Sequence, residues 1–303
     1  MPSTHDAVPD DRNRDILISI NGRLLPRADA KISVFDSGFL VGDGVWEGIR
    51  LHHERLAFLD RHLDRLYGGA RTIGLDIGLS RDELTDRLYE TLRANDMTDG
   101  VHVRLMITRG EKKTPSQHPS NVIGGPTVVI IAEHKTADPD VLRRGISLFT
   151  ATIRRPPPDT LDQRLNCHSK LHEVIALIQA THAGADEALM LDPTGAVATC
   201  NATNFFCIRR GQVWTSTGHY NLPGITRAIV LETAAADGIT THEAPFSLTD
   251  VYGADEAFVT GTFGGLTPVT SVDGRPIGAG SPGPMTAHLR ELYERALAIE
   301  CPA

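Results

Sequence analysis

Three consecutive prolines near the middle of the chain, Pro156–Pro158, constrain its fold more than any other feature. Proline fixes the backbone angle φ and has no N–H donor, so such a run fits neither a helix interior nor a central strand. The run lies in a connecting segment, Arg154–Gln163, and Ala137–Asp140 has a similar character. Because 303 residues suffice for two modest domains, we predict a domain boundary in this region.

The sequence before this boundary has the pattern of a sheet accompanied by helices. Val101–Ile107 alternates between an apolar face and a face with His102, Arg104 and Met106, as a half-buried strand does. Asn21-Gly22 is a strong hairpin signal. We predict helices at Leu59–Ala70 and Arg81–Asn95, and strands at Ile16–Ile20, Arg23–Leu25, Val45–His52, Leu56–Phe58, Val101–Thr108, Thr127–His134 and Ile146–Ile153.

The sequence after the boundary mixes strands and helices. We predict strands at Ala188–Asp192, Ala196–Ile208 and Glu256–Thr260, and amphipathic helices at Leu171–Ala183, Thr226–Ala236 and Met285–Ile299. The whole chain is therefore predicted to be a two-domain α+β protein. In residue numbers, we predict a disordered tail at 1–14, a small N-terminal α/β domain at 15–138, an interdomain linker and strand at 139–163, and a large C-terminal α+β domain at 164–303.

Charge and cysteine content argue against several kinds of partner. The net charge is −8 and lysines and arginines cluster only in short pairs, so neither nucleic acid nor an anionic membrane is an expected partner. No apolar run reaches the ~18–20 residues that span a bilayer, and polar residues 1–15 lack the apolar core of a secretion signal. The four cysteines show neither metal-ligand nor disulfide spacing, so we predict a cytoplasmic protein without a metal site.

Two loops have the composition of an anion-binding pocket. Gly224–Thr226 offers backbone N–H groups and a hydroxyl at the start of a predicted helix, where the helix dipole favours negative charge. Thr260–Gly265 follows a predicted strand and contains three glycines, so its backbone N–H groups can form a second cradle. Together with an arginine, such loops suit a phosphate group, although either loop alone is a common feature.

The order of short motifs along the chain is more specific than any single loop. These motifs are Ser33–Gly38, Gly42–Arg50, His62–Leu66, Ile107–Gly110, Gly184–Leu189, Asn204–Phe206, Leu222–Arg227, Thr262, Thr267–Val269 and Val272–Gly274. Over residues 15–298 this order resembles the class IV, or fold-type IV, family of pyridoxal 5′-phosphate (PLP) enzymes. That family includes branched-chain amino acid transaminases, D-amino acid transaminases, (R)-selective amine transaminases and aminodeoxychorismate lyase.

The resemblance implies roles for particular residues. It implies cofactor binding by Arg65, Thr199, Asn204, Gly224, Ile225, Thr226, Gly261 and Thr262, and substrate binding by Trp46, Arg104 and Phe263. In the family, the arginine at the place of Arg65 holds the cofactor phosphate, and the strand arginine at the place of Arg104 is directed at the substrate. The alternative for Arg65 is a surface charge paired with Asp64 or Asp60, and for Arg104 an exposed strand position.

The chain departs from the family at the catalytic lysine, which binds the cofactor covalently and carries a proton during the reaction. Without a gap, Asn166 falls on the family position and Lys170 lies four residues later. Four residues are about one helical turn, ~5.4 Å, so both side chains would face the same way if this stretch were helical. We therefore predict that Lys170 is a displaced catalytic lysine. The alternative is a lysine on the helix surface near Ser169.

A second departure concerns the cofactor's ring nitrogen. The family places a glutamate there, five residues before the asparagine of the Asn204–Phe206 motif, and this chain has Thr199. A hydroxyl does not stabilise a protonated ring nitrogen as a carboxylate does, so we expect weaker electron withdrawal, with racemisation or β-elimination competing with transamination. Between Asp192 and Glu232 the sequence contains no acidic residue that could substitute.

The resemblance therefore implies a homodimeric PLP-dependent aminotransferase that transfers an amino group between an amino acid and a 2-oxo acid. Branched-chain L-amino acids are the first choice of substrate. D-amino acids or (R)-amines come second, and a lyase of the aminodeoxychorismate lyase type comes third. The two departures leave open a further class, a non-catalytic relative that binds PLP or another phosphate compound.

Overall fold

A computed structural model describes Thr4 and residues 7–303, which form two compact units. The N-terminal unit comprises Val8–Thr136, Leu165–Ser169 and Cys301–Ala303. The C-terminal unit comprises Ala137–Arg164 and Lys170–Glu300, together with the described residues among the first seven. The predicted linker, 139–163, thus lies within the C-terminal unit, where it forms helices and a strand.

The N-terminal unit contains an antiparallel sheet in the order β2-β1-β6-β5-β3-β4. Its strands are β1 (Leu17–Ile20), β2 (Arg23–Pro26), β3 (Gly44–His52), β4 (Arg55–Leu56), β5 (Val101–Thr108) and β6 (Thr127–His134). Its helices are α1 (Ser37–Val41), α2 (Leu59–Thr72) and α3 (Arg81–Ala94), with 3-10 turns at Asp11–Arg14 and Pro119–Asn121.

The alternation along β5 produces the core of this unit. Val101, Val103, Leu105 and Ile107 are fully buried, and they pack in one cluster with the apolar residues of α2 and α3. Pairing of β5 with β3 and β6 over its whole length satisfies its backbone polar groups. The strand predicted at Val101–Thr108 is therefore confirmed, and the opposite face of β5 carries Arg104.

The C-terminal unit contains a mixed sheet in the order β12-β11-β10-β13-β14-β7-β8-β9, with β15 beside β14. Its strands are β7 (Ile146–Thr150), β8 (Glu187–Leu191), β9 (Val197–Cys200), β10 (Asn204–Arg209), β11 (Gln212–Thr215), β12 (Thr241–Glu243), β13 (Glu256–Gly261), β14 (Gly265–Val272) and β15 (Arg275–Pro276). Its helices are α4 (Pro139–Arg144), α5 (Pro158–Leu161), α6 (Leu171–His182), α7 (Ile225–Ala236), α8 (Leu248–Tyr252) and α9 (Pro284–Glu300).

Helix α6 has one buried face and one exposed apolar face. Ala176 and Ala180 pack against Ala188 and Met190 of β8, and small alanines allow this close approach. The other face carries four exposed apolar side chains, Leu171, Val174, Ile175 and Ile178, at helical spacing.

Two parts of the chain differ from the sequence-based expectation. A disordered tail was expected at 1–14, but Asp11–Arg14 forms a 3-10 turn capped by Asp10, and Ala7 bridges Ala137. The rest of that expectation concerns residues 1–3, 5 and 6, which lie outside the described residues. Ala196–Ile208 was predicted as one strand, but it is divided into β9 and β10 because Cys200 N–H donates to the Thr203 carbonyl and closes a turn.

Candidate active site

The start of α7 is built to accept an anion. Gly224 is the N-cap residue, and a glycine has no side chain with which to cap the first N–H groups of the helix. The first turn contains no acidic residue, and Ile225 and Thr226 are both buried. The N–H groups and the positive end of the helix dipole therefore favour a negatively charged group at this position.

Asn204 holds the turn that leads into α7. Its Nδ2 donates a hydrogen bond of 3.1 Å to the Leu222 carbonyl. A Cβ atom added to Gly224 would lie 2.0 Å from Asn204 Oδ1, so any side chain there would displace the asparagine. Asn204 was predicted to bind the cofactor, and in the structure it contacts the backbone of the turn that leads into α7.

The second predicted cradle is the β13–β14 hairpin, where Gly261 pairs with Gly265 around Thr262, Phe263 and Gly264. Asn204 pairs with Thr260 across β10 and β13, so the hairpin and the α7 turn both adjoin Asn204.

Thr260 belongs to the second predicted cradle but was not among the residues predicted to bind the cofactor. Its hydroxyl is buried and has no hydrogen-bond partner within the part of the chain that the structure describes. Buried polar groups are nearly always paired, so a hydroxyl in this position is suited to a ligand. The signal was present in the sequence, since Thr260 begins the same Thr-Gly-Thr segment that carries Gly261 and Thr262.

The position of the family glutamate is occupied by Thr199, which is buried on β9. Its hydroxyl donates a 2.8 Å hydrogen bond to the Thr203 carbonyl, so its proton is already used within the protein. Thr203 Oγ1 in turn donates to Glu187 Oε2 at 2.9 Å. This fully buried carboxylate lies before the acid-free stretch between Asp192 and Glu232, and it also accepts from the N–H and hydroxyl of Thr4.

Lys170 is the N-cap residue of α6, and its Nζ lies 3.4 Å from Glu173 Oε1. Asn166 and Lys170 do not lie in one helix, because α6 begins only at Leu171. Asn166 instead joins the edge of β3: Trp46 N–H donates to its carbonyl at 3.0 Å, and its Nδ2 donates to the Trp46 carbonyl at 2.6 Å. The two residues therefore belong to different local structures, and a helical turn does not relate them.

In the N-terminal unit, Arg65 is bound by a buried carboxylate. Its Nε and Nη2 lie 2.7 Å from the two oxygens of Glu47, and His62 Nδ1 lies 2.7 Å from Glu47 Oε2. Burial raises the pKa of Glu47, but Arg65 and His62 lower this pKa by more, so it stays below its usual value. Of the two alternative partners, Asp64 and Asp60, Asp64 pairs with Arg81.

Arg104 and Trp46 form a stacked pair on the sheet of the N-terminal unit. The Arg104 guanidinium carbon lies 3.9 Å from the centroid of the Trp46 ring, close enough for a cation–π interaction. Burial lowers the pKa of Arg104 from its usual value, although arginine remains charged at neutral pH. Trp46 Nε1 donates to the Cys167 carbonyl at 3.1 Å, which fixes the plane of the indole.

Among Thr4 and residues 7–303, no group of three histidine, cysteine, aspartate or glutamate side chains is arranged to hold a metal ion. No helix among these residues is both long and apolar enough to cross a bilayer.

Comparison with known proteins identifies the family. The sequence profile described as amino-transferase class IV matches residues 44–272. The chain belongs to the class IV aminotransferase family. The resemblance predicted from the motif order is thereby confirmed.

Several class IV relatives are similar over most of this chain. A branched-chain-amino-acid aminotransferase-like protein 1 of Arabidopsis thaliana is 38% identical over 97% of the chain, which spans only 53% of that relative. A putative branched-chain-amino-acid aminotransferase of Methanocaldococcus jannaschii is 38% identical, with 91% of this chain and 95% of the relative covered. A D-alanine aminotransferase of Listeria monocytogenes is 31% identical over 94% of this chain and 97% of its own length.

Solved class IV structures confirm the fold. The T.th. branched-chain amino acid aminotransferase, complexed with N-(5′-phosphopyridoxyl)-L-glutamate, superposes with a TM-score of 0.87 at 31% identity. The match covers 95% of this chain and 96% of that structure. The same enzyme with pyridoxamine 5′-phosphate gives a TM-score of 0.88 at 31% identity over the same shares of the two chains. The α+β fold-type IV architecture predicted from the sequence is confirmed.

The residues of this chain fit one half of a pyridoxal phosphate site closely. A phosphate group suits the start of α7, which has no side-chain cap, and Gly224, where no side chain fits. It also suits the hydroxyl of Thr260, which has no hydrogen-bond partner among the described residues. At the ring, Thr199 offers no carboxylate, and Lys170 comes four residues after the position of the family lysine.

Proposed function

We propose that this chain is a PLP-dependent aminotransferase that transfers an amino group between an amino acid and a 2-oxo acid. The observation that carries the proposal is the start of α7, which has no side-chain cap and no acidic residue and where Asn204 packs against Gly224. The chain also belongs to the class IV aminotransferase family. Pyridoxal phosphate, when bound, supplies an electron-withdrawing ring and an aldehyde that carries the amino group.

In this proposal, the phosphate is held by backbone N–H groups and hydroxyls of the C-terminal unit. Gly224, Ile225 and Thr226 supply the start of α7, and Gly261 and Thr262 supply the second turn. Arg65 adds a positive charge, and Glu47 orients its guanidinium through two parallel hydrogen bonds. Thr260 joins this set through its buried hydroxyl.

Lys170 has the role of the covalent and proton-carrying residue. Its Nζ is a primary amine on a flexible stem at the start of α6, and the Lys170 side chain is 30% exposed. The chain contains four other lysines, Lys31, Lys112, Lys113 and Lys135, and none of them lies where the family places its nucleophile. Support for Lys170 is thus positional, and labelling is the direct test.

On the substrate side, we propose that Trp46, Arg104 and Phe263 contact the amino acid. A guanidinium stacked on an indole presents a carboxylate-binding group beside an apolar surface, which suits an amino acid with a branched apolar side chain. Branched-chain L-amino acids are the first choice, because the relatives at 38% identity are named for them. D-amino acids are the second, since D-alanine aminotransferases are 31% identical.

A non-catalytic relative that binds a phosphate compound is the second candidate function. One observation favours it. Asn166, which occupies the position of the family lysine, pairs with Trp46 of β3 through both its side chain and its backbone. In such a protein, Lys170 would serve the local ion pair with Glu173.

We also propose a cytoplasmic homodimer. The exposed apolar stripe on α6 supports a second copy of the chain as partner, because Leu171 is 71% exposed and Val174, Ile175 and Ile178 continue the same face. The four cysteines are buried and form no disulfide in the described part of the chain, as is usual for a reducing compartment. Sedimentation of the wild type and of Ile178→Glu tests the dimer.

The proposed function is tested by the absorption spectrum of the purified chain with PLP, before and after borohydride reduction, followed by peptide mapping. We expect a visible band and a reduced adduct on Lys170, and no such adduct on the exposed Lys113. A chain that binds pyridoxamine 5′-phosphate but gives no band and no adduct would be the non-catalytic relative. An adduct on another lysine would contradict the role of Lys170. If the adduct is on Lys170, an amino-donor screen with L-leucine, L-valine and D-alanine identifies the substrate class.

A further inference from the structure

A buried carboxylate at the start of α6 binds two cations through one oxygen. Glu173 is 7% exposed, and its Oε1 lies 2.9 Å from Arg155 Nη1 and 3.4 Å from Lys170 Nζ. Arg155 is itself buried, and its contact with Glu173 is the shorter of the two. Because charge-assisted hydrogen bonds weaken with distance, Arg155 is the stronger partner of the carboxylate and Lys170 is the weaker one.

The neighbouring histidine does not compete for this carboxylate. Gln163 Nε2 donates to the Leu161 carbonyl at 2.8 Å, so its Oε1 is the atom that accepts from His172 Nε2. Burial lowers the pKa of His172, which favours the neutral ring with its proton on Nε2. Its Nδ1 then carries a lone pair and donates nothing to Glu173 Oε2, 3.6 Å away.

Arg155 also connects this cluster to the phosphate-binding turn. Its Nε donates a 3.0 Å hydrogen bond to the Tyr220 carbonyl. Tyr220 lies four residues before Gly224, in the segment that leads into α7. One arginine therefore joins the carboxylate that binds Lys170 to the backbone that precedes the anion site.

We propose that Arg155 and Glu173 are positioning residues for Lys170: the carboxylate holds the amino group in place, and the arginine weakens that hold by sharing the same oxygen. The inference rests on the proposed role of Lys170 in cofactor binding. A carboxylate paired with Lys170 alone would bind it tightly as an ammonium ion, which does not attack an aldehyde. With Arg155 on the same oxygen, Glu173 keeps a counterion when Lys170 reacts.

The test is reductive methylation of the full-length chain with formaldehyde and cyanoborohydride at pH 7.5, read by mass spectrometry of lysine peptides. Formaldehyde needs no cofactor, so the experiment reports on Lys170 alone. Two lysines in the same molecule serve as controls: exposed Lys113 measures the reagent, and fully buried Lys112 is labelled only if the fold opens. The quantity compared is the ratio of Lys170 labelling to Lys113 labelling.

We expect opposite effects from neutral replacements of the two residues. Glu173→Gln releases Lys170 and raises the ratio about fivefold, and Arg155→Gln leaves the carboxylate to Lys170 and lowers the ratio by a similar factor. Glu173→Asp keeps the charge, so its ratio stays within about twofold of the wild type. Glu90→Gln, an exposed helical position on α3, is the matched control and leaves the ratio unchanged.

Changes of the same sign in Glu173→Gln and Arg155→Gln, with Lys112 still protected, would overturn the inference. A ratio that does not respond to either variant would overturn it as well. The proposed function fails separately, if the wild type gives no borohydride-reduced pyridoxal phosphate adduct on Lys170 while the formaldehyde ratios change as expected.

Discussion

Helices α6 and α7 of the C-terminal unit begin in opposite chemical settings. Helix α7 follows Gly224 and has no acidic residue in its first turn, so its positive end is left for an anion. Helix α6 follows Lys170 and carries Glu173 in its first turn, so the chain supplies the negative charge itself. Both helices have twelve residues, and their dipoles are therefore comparable.

The difference shows why a helix N-terminus is not by itself a ligand site. At α7, a glycine and an asparagine shape the backbone, and the first turn supplies no acidic side chain. At α6, the carboxylate of Glu173 pairs with both Arg155 and Lys170, so side-chain chemistry is the feature of interest. We therefore expect phosphate affinity to depend on α7 and covalent chemistry to depend on α6.

Removing the amine at α6 has the largest expected effect. Lys170→Ala should lower transaminase turnover by at least about 1,000-fold, because no covalent bond with the cofactor can form. Affinity for pyridoxamine 5′-phosphate, which forms no such bond, should change by less than about threefold. Lys113→Ala, at an exposed position, is the matched control. Equal turnover in the two variants would show that Lys170 is not the catalytic lysine.

Closing the start of α7 should give the converse result. Gly224→Ala places a Cβ atom 2.0 Å from Asn204 Oδ1, so the turn must shift. Overpacking of this kind costs about 1–3 kcal/mol, and we expect pyridoxamine 5′-phosphate affinity to fall about 10- to 100-fold by calorimetry. Gly68→Ala, where nothing lies within 4 Å of the added atom, is the control. Unchanged affinity in Gly224→Ala would place the phosphate elsewhere.

Local sequence pattern predicted most of the fold. The alternation of Val101–Ile107 predicted the buried face of β5, and Asn21-Gly22 predicted the β1–β2 hairpin, in which both residues have positive φ. The pairing of Asn166, which precedes α6, was not predicted, because Asn166 takes its backbone partners from β3, some 120 residues earlier in the chain. The periodicity of a short sequence window cannot predict a pairing between residues so far apart in the chain.

Features of the candidate site that lie within one segment of the chain could be predicted from the sequence, whereas contacts between distant side chains could not. Gly224–Thr226 lies in one segment, so the sequence alone indicated an anion site at α7. The ion pair of Arg65 with Glu47 joins residues 18 positions apart on a helix and a strand, whereas the alternative considered from the sequence was a pair with nearby Asp64 or Asp60. Arg155 and Glu173, likewise 18 positions apart, were not considered for the same reason.

A carboxylate at position 199 tests the ring-nitrogen end of the proposed cofactor site, which neither helix start provides. Thr199→Glu should raise transaminase turnover about tenfold, because a carboxylate keeps the ring nitrogen protonated, which the Thr199 hydroxyl cannot do while it donates to Thr203. Thr199→Gln, of the same size without the charge, controls for the added volume. Turnover is measured by steady-state kinetics with pyridoxal phosphate in excess. If Thr199→Glu and Thr199→Gln lose turnover equally, position 199 does not serve the ring nitrogen.

The smallest expected effect is on the pH dependence of the melting temperature, and it differs between the start of α6 and the start of α7. Burial keeps the pKa of His172, in the first turn of α6, below its usual value of 6.5. As the pH falls below about 6.5, the unfolded chain takes up this proton before the folded chain does, so stability is lost. We expect the wild-type melting temperature to fall more than that of His172→Gln between pH 7.5 and 5.5, by about 1 °C. The first turn of α7 carries no histidine, so Gly224→Ala should retain the wild-type dependence on pH. Equal slopes for the wild type and His172→Gln would mean that His172 makes no contribution to the pH dependence of α6.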